Sequence, residues 1–180
     1  MGIGRHANVV HLIDFGLSKE FQDPNTHLHI PFKEGLGLVG TAAFASINSH
    51  LGSEQGRQDD LKSLAYILFY FLWGFLPWQG LGQQDILESK RGFTTLDLFC
   101  ELLLEFCILF EHSCLLSFEG KPNYDHFCHL FDNLLVKEGL QSNMAFDWDV
   151  AGAGILVQDF EITSDFPPCE PNPSYKRRLQ

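Results

Sequence analysis

The stretch Leu64–Trp73, LAYILFYFLW, is apolar or aromatic at every position. A helix that is apolar all round is either buried or membrane-spanning. The run reaches Trp78, but Gly74 and Pro77 interrupt it, so it falls short of the roughly 20 residues a bilayer needs. It reads as the buried central helix of a domain, spanning about residues 57–73. Asp59 and Asp60 stand near its start, where negative charge is favoured, and Gly74 with Pro77 ends it.

Toward the C-terminus, residues 95–116 form a second long apolar segment. Asp97, Glu101 and Glu105 recur at i, i+4 and His112 continues the stripe, which predicts a helix with one narrow solvated face. Cys100, Cys107 and Cys114 repeat every seven residues on another stripe and read as small core residues. Residues 124–136 place Phe127, Leu130, Phe131, Leu134 and Leu135 at helical spacing. Lys137 and Gly139 suit its C-terminus. Beyond Trp148 the periodicity fades. Four prolines and no core pattern make residues 149–180 read as a disordered tail. Its Lys176-Arg177-Arg178 run fits a solvated tail better than a nuclear signal. The ordered part is one mainly α domain over residues 1–148.

Toward the N-terminus, residues 8–13 (NVVHLI) are short, apolar and β-branched and suit a strand. Asp14-Phe15-Gly16 follows on a turn. Residues 17–56 are mixed and read as a long irregular segment with short helical turns, a feature that usually carries function. Three letters match by chance often, but this order raises the signal. In protein kinases the Asp of Asp-Phe-Gly holds Mg²⁺ across the phosphates and the Phe packs on the helical lobe. Gly35-Leu-Gly37-Leu-Val-Gly40 spells the G-x-G-x-x-G pattern. It comes after Asp-Phe-Gly, with no clear strand before it and no V-A-I-K-type lysine after it, so a phosphate-cradling role is rejected.

Composition narrows the classes. The 180 residues are 45% hydrophobic and include 17 Phe, enough for one sizeable core. A net charge of −11 argues against general nucleic-acid binding and against an anionic membrane surface. No signal-peptide pattern opens the chain. Five cysteines without C-x-x-C spacing read as reduced, mostly buried thiols, placing the chain in cytosol or nucleus. His27-Leu-His29 and His126-Phe-Cys128-His129 lack zinc spacing.

Several stretches together carry a family resemblance: HLIDFGLSKEF, DPNTHLHIPF, GTAAFASINSHLG, RQDDLKSLAY, LPWQGLG, KPNY and a closing FDW. They make residues 2–148 resemble the casein kinase I family of serine/threonine protein kinases. Ser46-Ile47-Asn48 stands where most kinases carry Ala-Pro-Glu and looks like a marker of this family. The resemblance implies a kinase-like C-terminal helical lobe with a short N-terminal β element and the N-terminal lobe absent. It implies Asp14 as the Mg²⁺ ligand, Ile13 on the floor of the nucleotide pocket, and Phe15 and Gly16 as structural partners of that aspartate. Residues 17–48 become the activation segment. Asp60 becomes the buried aspartate that steadies the catalytic-loop backbone. Intact relatives use ATP, Mg²⁺ and protein substrates.

The sequence also departs from the family. No H-R-D, strand lysine or Gly-rich loop in the right order occurs, so no catalytic residue is assigned and the chain is expected to be inactive alone, binding no nucleotide. Asp-Phe-Gly stands near residue 1 as though the chain began inside a kinase domain. Ala43 replaces a frequent Arg, the segment after Leu81 is short, and Ser113–Ser117 lacks the usual arginines, so acidic-substrate preference does not carry over. Beside the partial kinase stand two other readings: a pseudokinase-type interaction module and a truncated gene product. Uncovered apolar surface would call for a capping partner, a chaperone or self-association.

Overall fold

The computed structural model describes residues 9–95 and 103–140. The expected tail, Cys100 and Cys169, Asp97, Glu101 and the closing FDW lie outside the described residues. Residues Leu12–Ser142 form one unit, mainly helical among its described residues, as expected.

Five helices follow a long irregular segment: α1 (Ile47–His50), α2 (Arg57–Trp73), α3 (Gln83–Gly92), α4 (Leu104–Leu115) and α5 (Tyr124–Lys137). The central helix ends where the sequence says it should. Gly74 adopts φ 78° and its N–H closes on the Tyr70 carbonyl, a left-handed cap that glycine takes without a Cβ penalty. α2 packs chiefly on α4, α1 on α3, and α4 on α5. The core joins Leu61, Ala65, Tyr66 and Phe69 of α2 to Leu76 and Trp78 beyond it, Ile86 of α3, Leu109 and Phe110 of α4, and Phe127 of α5. The uniform run on α2 is not buried on every side, for Phe71 is 73% exposed and Leu64 and Leu72 are also exposed.

Four expectations need correction. The strand expected at 8–13 is not formed over residues 9–13, and the one bridge outside a helix among the described residues pairs Gln22 with His29. β-branched sequence favours extended backbone, yet a strand also needs a paired edge. α3 was not expected, because QQDILESKRG has only two apolar side chains; it forms because Ile86 and Leu87 fill the core. On α4 the Glu105–His112 stripe turns inward. Glu105 meets Lys137 of α5 at 3.7 Å, and the His112 ring stands edge-on to Phe127 at 5.0 Å. Leu104 and Leu115 are exposed instead. The thiols are less buried than expected: Cys107 is half-buried, and Cys114 and Cys128 are exposed. Heptad spacing places cysteines on one stripe, but the position of α5 decides which stripe is covered.

Candidate functional site

Asp14 takes a left-handed conformation, φ 63° and ψ 70°, which is uncommon for a residue other than glycine and is tolerated best by Asp and Asn. Its Oδ1 accepts from the Gly16 N–H at 3.4 Å and caps a short 3₁₀ turn over Phe15–Leu17. The Asp-Phe-Gly turn is therefore built, but nothing among the described residues covers it. Ile13 is 81% exposed and Phe15 67%. Among the described residues neither side chain is covered as the resemblance implies.

The irregular segment that follows is fastened at several points. Lys19 Nζ reaches Glu54 Oε1 at 2.6 Å, and this bond holds the Glu54 carboxyl below its usual range. Phe21 lies under the Arg57 guanidinium at 4.3 Å, while Arg57 donates to the Glu119 carbonyl at 2.7 Å. His29 and Phe32 stack edge-on against Phe118 at 4.6 and 5.3 Å. The G-x-G-x-x-G stretch is a loop, as expected: the Leu36 N–H donates to the Gly52 carbonyl, and Val39 is bound on both sides by the Ser49 hydroxyl at 3.0 and 3.2 Å.

The Ser46-Ile47-Asn48 triplet is a structural joint. Ser46 caps α1 through the Ser49 N–H at 3.1 Å. Asn48 Nδ2 donates to Asp59 Oδ1 at 2.9 Å, and Asp59 Oδ2 accepts from the Gly56 N–H at 2.8 Å. One buried carboxylate thus closes the N-terminus of α2 and pins the triplet to it. Sequence reasoning assigned burial to Asp60. The structure exposes Asp60 and buries Asp59 to 1%, because the helix turn places neighbouring residues about 100° apart. Desolvation by its surroundings, then the Asp59 charge, raises the Asp60 carboxyl above its ordinary value. Replacing Asp59 by Ala leaves the Asn48 amide and the Gly56 N–H without their acceptor and should cost about 1–3 kcal/mol. Asp60→Ala should stay within about 0.5 kcal/mol. Urea midpoints at constant m-value measure both, and equal losses would contradict the assignment.

Lys90 and His50 were not found in the sequence. Lys90 sits on α3, 3% exposed, with its ammonium 2.8 Å from the Ala42 carbonyl and 2.6 Å from that of Ala45. Only its place at i+4 from Ile86 on an otherwise apolar face could have signalled burial.

The Asp14 carboxylate, Ser46–Asn48 and Asp59 do not converge on a cavity. A surface hollow of about 420 Å³ lies along residues 20–31, lined by Glu20, Gln22, Asp23 and His29 among others, and none of these site residues lines it. Among the described residues no group of three or more His, Cys, Asp or Glu could hold a metal ion. Asp14 alone does not make a Mg²⁺ site. No helix among the described residues is long and apolar enough to cross a membrane. No family model matches the chain.

Proposed function

We propose that the chain is the activation segment and helical lobe of a serine/threonine protein kinase of casein kinase I type, without the groups needed for phosphoryl transfer. The observation that carries this reading is the joint at Asp59, which ties Ser46-Ile47-Asn48 to the first turn of the central helix, downstream of an Asp-Phe-Gly turn. That order of parts is the order of a kinase activation segment running into its helical lobe. In this reading Asp14 is the carboxylate that would ligate Mg²⁺. When bound, the ion neutralises charge on the phosphates. Protein substrates would meet the chain along the activation segment, residues 17–48, which includes Ala43. With Ala43 there, selection for acidic residues is weak.

The test supplies the missing groups. The strand-rich lobe and catalytic loop of an active casein kinase I enzyme, fused ahead of Met1, should give Mg²⁺-ATP binding that weakens at least ten-fold in Asp14→Asn. Equal affinity in the two fusions would remove Asp14 from the site.

A second reading is a non-catalytic interaction module. Leu12, Ile13, Phe15 and Leu17 are 67–83% exposed and adjoin one another in the chain, an apolar edge suited to a capping partner or to self-association. A folded fusion that binds no nucleotide would favour this reading over the first.

A further inference from the structure

We propose that Lys90 and His50 form a one-proton latch on the turn at residues 41–45, closed while the pair carries at most one positive charge and opened when His50 takes a second. The latch stands independently of the kinase reading, since every group in it belongs to the described fold. Under that reading it would govern the order of the substrate-facing segment.

The geometry is unusual for a lysine. A long cationic side chain normally carries its head out to water, and buried charges are normally paired with opposite ones. Lys90 does neither. Among the described residues no carboxylate pairs with it. Its head group lies between the Ala42 and Ala45 carbonyls, with the Tyr66 ring at 4.8 Å and the Trp78 ring at 5.2 Å. Backbone dipoles and two aromatic faces offset part of the cost of burying a cation there. They hold the turn at 41–45 against α3, and the same turn accepts the Trp78 indole N–H at the Ala43 carbonyl, 2.7 Å away.

His50 shares one of these carbonyls. Its Nε2 lies 2.9 Å from the Ala42 oxygen and 3.4 Å from Lys90 Nζ. A carbonyl only accepts, so Nε2 carries the ring proton and donates. The other nitrogen, Nδ1, is buried without a hydrogen-bond partner. A second proton would have to enter there, creating a buried donor without an acceptor and a second cation beside the first.

Among the described residues no carboxylate is bonded to the pair to offset that second charge. From α2 comes the Tyr66 phenol, pushed far above its ordinary range by burial and then by Cys114. From beyond α2 comes the neutral Trp78, and from the 41–45 turn come only carbonyls. On α3 itself Glu88 and Arg91 are exposed.

The sign follows from the two bases. Burial lowers Lys90 to about 7. Burial lowers His50, the Ala42 bond opposes this in part, and the nearby Lys90 charge adds a smaller lowering. Both groups bind protons less readily in the closed state than in an open one, so closure weakens as pH falls. For Lys90 this happens from its free range near 10.5 down to about 7. For His50 it happens below its free value of 6.5. The two titrate as one coupled pair, and the opening step lies below about pH 6.5.

The full 180-residue chain, with ¹⁵N-labelled tryptophan, provides the test without nucleotide or substrate. Its failure is therefore separate from failure of the kinase reading. The Trp78 indole resonance is assigned by its loss in Trp78→Phe, and its hydrogen-exchange protection is measured at pH 7.5 and 5.5. Protection should fall several-fold at the lower pH, up to the roughly ten-fold that one group with a free value of 6.5 can supply. In His50→Gln, which can still donate to Ala42 but cannot titrate, it should be the same at both. In Lys90→Met it should be low at both. Constant protection in the unaltered chain, or an undiminished fall in His50→Gln, overturns the latch. If Lys90→Met does not fold, the His50→Gln comparison decides alone.

Discussion

Incubated with Mg²⁺-ATP and casein, the purified 180-residue chain is expected to transfer no phosphate above an Asp14→Ala control. Enzymes lower barriers by some 8–23 kcal/mol. In phosphoryl transfer nearly all of this comes from positioning and electrostatic stabilisation. The sequence contains no H-R-D to accept the substrate proton and no strand lysine to hold the phosphates. One exposed carboxylate, accepting a single long bond from Gly16, orients neither reactant. Radiolabel incorporation over a time course is the measurement. Steady turnover that Asp14→Ala abolishes would contradict both the inactivity and the reasoning behind it.

Trp78→Ala should bring the largest loss of stability among single substitutions in the core, about 3–5 kcal/mol. Trp78 is fully buried. It stands edge-on to Tyr66 at 5.1 Å, tilts against Phe93 at 5.9 Å and ties the 41–45 turn through its indole nitrogen. Removal leaves a cavity between α2, α3 and that turn and orphans the Ala43 carbonyl. Against a total stability of 5–15 kcal/mol, a loss of that size takes much of the margin. Trp78→Phe keeps most of the ring volume but loses the donor, so it should cost distinctly less. Urea denaturation followed by circular dichroism distinguishes them. A loss under about 1 kcal/mol for Trp78→Ala would show that the turn repacks without it.

The central helix was legible because its signals are local. Ten consecutive apolar residues, acidic residues at the start and Gly74 at the end all act within a few turns of chain. α5 was legible for the same reason, with Phe127 and Leu134 buried at helical spacing and Gly139 turning at positive φ. The Asp-Phe-Gly turn also rests on neighbours in sequence, and it formed. α3 was not legible: its propensity is ordinary, and only the core around Trp78 turns two apolar side chains and a lysine into a buried face.

The same limit governs the site. Sequence determined that residues 17–56 are largely irregular with short helical turns and that a carboxylate opens α2. It could not decide between Asp59 and Asp60, because adjacent residues carry the same charge and differ only in which way the helix turns them toward Asn48. Nor could it turn the Glu105–His112 stripe inward, since that depends on where α5 lies. The Lys90–His50 pair joins residues 40 positions apart through a carbonyl that has no side-chain signature. Periodicity and capping chemistry act over a few residues and are written in the sequence. Which face meets which partner, and which charge must live without water, depends on contacts between distant segments and was settled only by the packed fold.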